Sequence, residues 1–260
     1  MTVNGVDDGR PMVFIHGFGC DQAMWRHVAP AFEDRFRTVQ YDLAGFGGSA
    51  SGYDPQRHES LEGYAADLLA IIDELDLREV IVVAHSVSAM ITVLAAVEAP
   101  ERFAGLVLVC PSPRYIDDPD TGYVGGFSRA DIDELLETLG DNFVAWSMSM
   151  APAIMGNPDR PELGQELTAS FCRADPAVAV GFARTTFLSD TREALGRVRV
   201  PTLVLQTTRD MIADVPVGEY VRDHVPDSQM VLLDAEGHCP NLSAPGPTTA
   251  AIEDFVGQLG

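Results

Sequence analysis

The chain has 260 residues, of which 46% are hydrophobic and 22% are charged, and its formal net charge is −22. This composition supports one large core and excludes an intrinsically disordered chain. A surface this acidic repels phosphate backbones and anionic lipids, so we expect neither nucleic acid nor a membrane as a partner.

The cysteines and the apolar runs give expectations about location and cofactors. No run is long enough for a spanning helix, and the first residues lack the pattern of a signal peptide, so we expect a cytoplasmic protein. The cysteines are widely spaced without a C-x-x-C pair, which favours reduced thiols over a disulfide framework or a zinc site. We therefore expect no metal and no cofactor. The cysteines are Cys20, Cys110, Cys172 and Cys239.

Short runs rich in β-branched residues predict six strands, with helical patterns between them. They span residues 12–16, 37–42, 79–84, 105–110, 202–207 and 229–234. Runs that are apolar on both faces and separated by helices are typical of a parallel sheet covered on both sides, which predicts an α/β fold. Ligands of such sheets bind beyond the carboxyl ends of the strands, so we look for chemistry in the loops that follow them.

Two stretches predict helices that cover this sheet. Residues 60–75 are apolar along one face, with Ser60 as a candidate cap. Residues 90–97 are apolar nearly all round, which predicts a buried helix that Pro100 ends.

Helix signals replace strand signals from about residue 115 to residue 190. Ser128 and Asp131 form an acidic variant of the capping box, and Asp141 is a candidate cap for the next helix. Pro161 and Pro176 stand where the first turn of a helix tolerates proline. We predict that four helices form a lid, inserted between strands of a single domain that spans residues 1–260.

The third strand run leads into polar residues and then into an apolar helix. Ser86 lies at this junction, which is the strand–turn–helix context of the G-x-S-x-G nucleophile motif. Ala84 and Ser88 replace its glycines, and a plain turn is the alternative, because serine often ends a strand. The position after a buried strand favours Ser86 as a nucleophile.

A serine nucleophile needs a base that takes its proton and an acid that orients the base. Asp210 follows the fifth strand run and His238 follows the sixth, in the chain order expected for this fold. We predict His238 as the base and Asp210 as the acid. Asp214 and Asp234 are rival carboxylates, and Asp214 is the second choice.

Backbone N–H groups are expected to stabilise the developing oxyanion. Val87 directly follows the predicted nucleophile and would supply one donor. Phe18, in the H-G-F-G stretch at residues 16–19, would supply the other. Glycines also serve ordinary turns, so this stretch carries weight only together with the serine, acid and histidine. The combination predicts a hydrolytic triad.

Several stretches resemble one branch of the α/β-hydrolases, namely the bacterial stress-regulator hydrolase RsbQ and the plant karrikin and strigolactone receptor-hydrolases. They include HGFGCDQAMW, YDLAGFGGS, LEGYAADLLAIID, HSVSAMITVLA, PSPRYIDD, TTFLSD and EGHCPNLS, and the similarity extends over nearly the whole chain, including the predicted lid. The resemblance implies the α/β-hydrolase fold, with the predicted triad beneath a four-helix lid. The sequence departs from that group at Ala84, at Asp214 where proline is usual, and in a short amino-terminal segment.

The resemblance also implies an apolar pocket near the predicted oxyanion loop. Its lining would include Phe18, Phe127, Trp146 and Phe187. The residues alone leave lid packing as an equal alternative for the lid aromatics, because large apolar side chains serve both purposes.

Two functions follow from these observations. The first is a serine hydrolase that cleaves a small apolar ester or lactone through an acyl-enzyme on Ser86. The second, which the resemblance implies, is a signalling protein that binds and slowly hydrolyses a small hydrophobic ligand and contacts a protein partner. A serine nucleophile argues against the dehalogenases and epoxide hydrolases of this fold, which attack with aspartate.

Overall fold

The computed structural model describes residues 1–259 and contains one seven-stranded sheet. The strands are β1 (Thr2–Gly5), β2 (Arg10–Ile15), β3 (Phe36–Tyr41), β4 (Val80–His85), β5 (Phe103–Val109), β6 (Thr202–Arg209) and β7 (Ser228–Glu236). Their order across the sheet is β1-β3-β2-β4-β5-β6-β7. β1 pairs with β3 in antiparallel fashion, and the remaining pairs are parallel. The α/β class and the mostly parallel sheet are therefore confirmed.

Helices lie between and after the strands. They are α1 (Leu61–Glu74), α2 (Val87–Glu98), α3 (Arg129–Asp141), α4 (Phe143–Met155), α5 (Pro161–Phe171), α6 (Pro176–Phe187), α7 (Arg192–Leu195), α8 (Val215–His224), α9 (Pro240–Ser243) and α10 (Pro245–Val256). Short 3-10 helices occur at Gln22–Trp25, Ala29–Phe32, Gly47–Gly52 and Pro100–Arg102. No helix within residues 1–259 is long and apolar enough to cross a membrane.

The alternation of side chains along the strands separates two hydrophobic cores. On β2, Met12 and Phe14 belong to the core on one face of the sheet, whereas Val13 and Ile15 belong to the core on the other. β4 divides its side chains in the same way and is buried along its full length. Both faces are therefore covered, which is the reason why these strands are apolar throughout.

The helix starts agree with the sequence in part. Ser128 and Asp131 form both hydrogen bonds of the capping box at α3. Ser60 stands at the N-cap of α1, but its side chain makes no capping hydrogen bond. The prediction for Asp141 is wrong, because this residue ends α3, and Asn142 caps α4 by accepting a hydrogen bond from the N–H of Ala145.

The helices α3–α6 lie between β5 and β6 in the chain, and we call them the cap helices. Pro161 and Pro176 occupy the first positions of α5 and α6. Proline fits there because the missing N–H has no partner within the helix. Side chains of α4, α5 and α6 line a cavity next to the carboxyl end of β4.

Candidate active site

Ser86 lies at a sharp bend between β4 and α2. Its backbone has φ +58° and ψ −125°, a conformation that non-glycine residues rarely adopt and that is typical of functional sites. The N–H of Ser86 donates to the carbonyl oxygen of Val109 on β5 at 2.8 Å. The neighbouring strand therefore holds the bend from which the hydroxyl projects.

The two residues that replace the glycines of the motif are accommodated in different ways. Ala84 is fully buried, and its methyl group belongs to one of the two cores. The hydroxyl of Ser88 donates to the carbonyl oxygen of His16 at 2.5 Å. Ser88 thus links the bend to the loop that carries the predicted second oxyanion donor.

Three residues from separate loops meet at this bend. His238 Nε2 lies 2.7 Å from Ser86 Oγ, and His238 Nδ1 lies 2.7 Å from Asp210 Oδ2. All three side chains are buried. A continuous hydrogen-bonded chain therefore runs from the hydroxyl through the imidazole to the carboxylate.

Asp210 is held as a carboxylate that can orient His238. Its Oδ1 accepts hydrogen bonds from the N–H groups of Ile212 at 2.8 Å and Ala213 at 3.2 Å. Burial opposes the charged form, but His238 and these N–H groups outweigh it and hold the pKa of Asp210 below its usual range. An ionised acid fixes the ring proton on Nδ1 and leaves Nε2 free to take the serine proton.

The rival carboxylates lie elsewhere. Asp214 is exposed and caps α8, where its Oδ1 accepts a hydrogen bond from the N–H of Val215. Asp234 is an exposed residue of β7. Across the described part of the chain, neither forms an ion pair or a hydrogen bond with His238.

The backbone of His238 is anchored on two sides. Its N–H donates to the carbonyl oxygen of Ile154 near the end of α4 at 2.9 Å. Its own carbonyl oxygen accepts from His85 Nε2 at 2.7 Å. Burial lowers the pKa of His85 to about 3, so its ring is neutral and its single proton sits on Nε2. The sequence analysis assigned no role to His85; its position next to the bend was the only available signal.

The predicted oxyanion donors flank Ser86. The N–H groups of Phe18 and Val87 donate to no other protein group within residues 1–259. Val87 begins α2, where free N–H groups and the helix dipole favour negative charge. The loop that carries Phe18 is fixed by His16, whose Nδ1 donates to the carbonyl oxygen of Gly17 at 2.8 Å and whose Nε2 accepts from the N–H of Leu43 at 2.9 Å.

Gly17 meets a steric requirement in this loop. A Cβ atom at this position would lie 2.4 Å from His85 Nδ1 and 3.2 Å from Ser86 Cβ. The glycine of the H-G pair therefore lets the oxyanion loop approach the nucleophile.

A small cavity of about 30 Å³ adjoins Ser86 and His238. Its lining is mainly apolar and aromatic and comprises Phe18, Cys20, His85, Ser86, Tyr115, Trp146, Ile154, Leu167, Phe171, Thr186, Phe187, Ile212, His238 and Cys239. Three of the predicted pocket residues, Phe18, Trp146 and Phe187, are among them. The chain thus places an apolar space directly over the serine hydroxyl.

Aromatic rings close this cavity. The ring of Phe18 lies 5.7 Å from that of Phe171 and 6.2 Å from those of Trp146 and Phe187. Phe171 ends α5, and no motif in the sequence had marked it. The structure does not bring Phe127 to the cavity, because this partly buried residue lies in the loop before α3 and packs against the core.

Tyr115 adds a hydroxyl next to the nucleophile. It lies in the loop after β5 and lines the same cavity as Ser86. Burial raises the pKa of Tyr115 well above its usual value, so the hydroxyl keeps its proton. The stretch that carries Tyr115 contributed to the family resemblance, but the sequence did not indicate that it reaches Ser86.

One group of side chains in the described residues has the composition of a metal site. The ligand atoms of Cys110, Asp210 and His238 lie within 4.8 Å of one another. Burial raises the pKa of the Cys110 thiol well above its usual value, which disfavours the thiolate that a metal requires. Asp210 and His238 are already joined by their hydrogen bond. The arrangement is therefore better suited to proton transfer than to holding a metal ion.

A serine on a strand–helix bend, hydrogen-bonded through histidine to a buried carboxylate, defines a hydrolase of the α/β class. The comparison of sequences agrees with this geometry. The chain belongs to the alpha/beta hydrolase family, whose sequence model matches residues 12–252.

Relatives with assigned names place the chain within that family. It is 41% identical to a probable esterase of Oryza sativa subsp. japonica over 236 residues, which cover 90% of this chain and 86% of the relative. It is 39% identical to a strigolactone esterase of Arabidopsis thaliana over 248 residues, 94% of this chain and 92% of the relative. It is 37% identical to the Karrikin insensitive 2 receptor IA of Petunia hybrida over 255 residues, 97% and 92% of the two chains. The resemblance to karrikin and strigolactone proteins is thus confirmed.

Solved structures agree with the fold. A hydrolase from Oleispira antarctica superimposes with a TM-score of 0.95 at 38% identity, covering 99% of this chain and 94% of that chain. An enol-lactonase from Burkholderia xenovorans superimposes with a TM-score of 0.85 at 20% identity, covering 99% and 95% of the chains. The second likeness shows the fold alone.

Proposed function

We propose that this protein is a carboxylic ester or lactone hydrolase that uses Ser86, His238 and Asp210 as a catalytic triad. The observation that carries the proposal is the pair of 2.7 Å contacts that join the three side chains at a strained bend. Esterases among the relatives support the reaction class.

The first half of the reaction forms an acyl-enzyme. Ser86 Oγ attacks the carbonyl carbon while His238 Nε2 takes the hydroxyl proton, and Asp210 stabilises the resulting imidazolium. The oxyanion accepts hydrogen bonds from the N–H groups of Phe18 and Val87. The tetrahedral intermediate then breaks its bond to the alcohol oxygen, which leaves with the proton from His238.

The second half releases the acid. Water attacks the acyl group on Ser86 and gives a proton to His238 Nε2. The second tetrahedral intermediate expels Ser86, which recovers its proton from the imidazolium. With a lactone the alcohol and the acid stay in one molecule, so the product is a single hydroxy acid.

The cavity supports a small apolar substrate. Its present volume of about 30 Å³ holds water but not an ester or lactone. Entry therefore requires that cap helices or ring side chains move outward. We propose that the segment from about 115 to 190 is this lid, within a single domain that spans residues 1–260.

A receptor is the second candidate. The named karrikin receptors among the relatives favour it, as does a cavity that must open to admit a ligand. In this reading the protein binds and slowly hydrolyses a small hydrophobic ligand. The cap helices, rearranged by the ligand, then contact a signalling protein. For either role we propose a cytoplasmic location, which the four unpaired cysteines support and cell fractionation would test.

Hydrolysis of p-nitrophenyl acetate tests the proposal. We expect steady turnover over many cycles by the native protein and none above background by Ser86→Ala, with unchanged circular dichroism. Ser147→Ala is the control, because Ser147 is a buried serine of α4 that does not line the cavity and hydrogen-bonds only the carbonyl of Phe143. A single burst followed by a stable adduct would favour the receptor. Near-native turnover by Ser86→Ala would contradict both readings.

A further inference from the structure

Thr186 contributes a polar atom to the cavity that no protein group satisfies. The residue lies in the last turn of α6, directly before Phe187, and only 1% of its surface is exposed. Its Oγ1 is buried and has no hydrogen-bond partner within residues 1–259. Buried hydroxyls are normally hydrogen-bonded, so an unpartnered one inside a ligand cavity needs an explanation.

Several other helical threonines of this chain satisfy their hydroxyls with a carbonyl oxygen. Thr138, Thr168 and Thr248 each donate to the carbonyl oxygen four residues earlier, at 2.8 to 2.9 Å. The adjacent Thr185 donates to the carbonyl oxygen of His58 at 3.1 Å. Thr186 makes neither kind of bond, although a helix offers a local carbonyl to a threonine hydroxyl. Its hydroxyl is therefore available to the cavity.

The polar side chains that carry the proposed acyl transfer already have hydrogen-bond partners. Ser86 bonds with His238, which in turn bonds with Asp210. His85 donates from Nε2 to the carbonyl of His238, whereas its Nδ1 has no hydrogen-bond partner within residues 1–259 and lies next to Gly17. Within residues 1–259, Thr186 thus carries the hydroxyl of the lining that is buried, unpartnered and without a task in the proposed acyl transfer.

We propose that Thr186 determines specificity by hydrogen-bonding a second oxygen in the acyl part of the substrate. The preferred substrates are then esters or lactones whose acyl portion carries an ether, hydroxyl or carbonyl oxygen away from the reacting carbonyl. A hydrocarbon acyl group of the same length leaves the hydroxyl unsatisfied, and sites built to pair a polar group reject such analogues. This inference rests on the proposed hydrolase and names its substrate class.

Pairs of esters that differ by one oxygen test the proposal. Suitable probes are p-nitrophenyl pentanoate with p-nitrophenyl 3-methoxypropanoate, and p-nitrophenyl hexanoate with p-nitrophenyl 4-methoxybutanoate. Within a pair an ether oxygen replaces a methylene group at nearly constant length. The ratio of kcat/KM values within each pair is compared between variants, which cancels the intrinsic reactivity of the esters.

Thr186→Val removes the hydroxyl and keeps the branched shape. We expect it to lower the preference for the ether by about tenfold in at least one pair, the effect of one lost hydrogen bond. Thr186→Ser should retain the preference. Thr92→Val is the matched control, because Thr92 in α2 is also a buried threonine with an unpartnered hydroxyl but does not line the cavity. It should leave every ratio unchanged.

Binding provides a measurement that does not depend on turnover. In the Ser86→Ala background, Kd values for the same ester pairs are compared with and without Thr186→Val by calorimetry. A tenfold shift of the Kd ratio supports the inference even if the native protein hydrolyses nothing, an outcome that would reject the hydrolase alone. Ester ratios that stay unchanged in Thr186→Val, by rates and by binding, would overturn the inference. That result would mean that the hydroxyl pairs with retained water.

Discussion

Asp210 determines which nitrogen of His238 carries the proton. Its two carboxylate oxygens have separate partners, since Oδ2 bonds the imidazole and Oδ1 accepts the N–H groups of Ile212 and Ala213. These three hydrogen bonds together hold the carboxylate in one orientation. The acid therefore acts on the reaction through the orientation and charge of the ring.

We predict that Asp210→Asn lowers kcat for p-nitrophenyl acetate by about 10⁴-fold. The amide keeps the shape of the side chain, but it can present a donor to His238 Nδ1 and so favour the wrong tautomer. The unfolding midpoint should fall only slightly, so that loss of the folded state does not account for the loss of activity. Asp214→Asn is the control. It changes the exposed N-cap residue of α8 and should retain activity. Equal losses in the two variants would contradict the role of Asp210.

Individual residues differ in how far the sequence could reveal them. Ser86, Asp210 and His238 each follow a predicted strand, and parallel strands bring their carboxyl ends together, so their meeting could be predicted. His85, Tyr115 and Thr186 could not be assigned in this way. Their roles depend on contacts across loops that are distant in the chain and on hydrogen bonds that no spacing encodes.

The loop after β7 and the end of α4 form one packed unit around His238. The N–H of His238 donates to the carbonyl of Ile154, and Asn157 Nδ2 donates to the carbonyl oxygens of Met155 and Glu236. Gly237 lies between them with φ +90°. The backbone of His238, the proposed base, is thus tied directly to the end of the cap helix α4.

We predict that Gly237→Ala damages both this unit and the activity. A Cβ atom would lie 1.8 Å from the carbonyl oxygen of Met155, and the backbone conformation is one that alanine rarely adopts. We expect destabilisation of about 1–3 kcal/mol or more and a fall in kcat, measured by urea unfolding and ester hydrolysis.

Gly140→Ala is the matched control for that variant. Gly140 lies in α3, and a Cβ atom there would meet nothing within 4 Å. Alanine should therefore leave activity unchanged and stabilise the helix by about 0.5–1 kcal/mol. A Gly237→Ala protein that is as stable and active as this control would show that the close approach of Gly237 to the carbonyl oxygen of Met155 is unimportant.

Strands and helices of this chain were easier to predict than the details of their ends. Apolar runs located six strands within two residues of their observed ends, because burial on both faces leaves a strong pattern. The N-cap residue of α4 was predicted one position too early, at Asp141 instead of Asn142, because both kinds of side chain can accept the same hydrogen bond. The cavity volume could not be predicted, because it depends on how ring side chains pack between separate helices.

The complete protein combines a strongly acidic surface with histidines that are buried and neutral. His16 and His85 are almost fully buried. Burial lowers the pKa of each from its ordinary value of 6.5, to about 3 for His85. The pKa of Asp210 is also held below its usual range, where burial is outweighed by His238 and two N–H groups.

We predict that these groups make the protein less stable in acid. Below about pH 6.5 the unfolded chain protonates both histidines while the folded chain resists it, so stability falls as the pH drops, for His85 from 6.5 towards 3 and for His16 until its lowered folded pKa is reached. Asp210 adds to this loss only at lower pH, as the pH falls through its folded pKa. The contribution of His85 to the slope should reach about 1.4 kcal/mol per pH unit, measured by urea unfolding between pH 8 and pH 4.

His85→Gln tests the contribution of one histidine. The side-chain amide can keep a donor for the carbonyl of His238 but does not titrate, so the slope between pH 6.5 and pH 4 should be shallower. His27→Gln, at an exposed histidine, is the control and should leave the slope unchanged. Identical slopes in all three proteins would contradict the account of buried neutral histidines.

Acylation of Ser86 is the step that separates the proposed serine hydrolase from a protein in which Ser86 is not the nucleophile. Trypsin cleaves after Arg78 and Arg102, which releases residues 79–102 with Ser86 inside. The protein is mixed briefly with p-nitrophenyl acetate, quenched in acid and digested for mass spectrometry. We predict one acetyl group on this peptide, assigned to Ser86 by fragmentation and absent in Ser86→Ala. The contradicting result has two parts: Ser86 stays unmodified while p-nitrophenol is released, and the Ser86→Ala variant releases p-nitrophenol at the native rate.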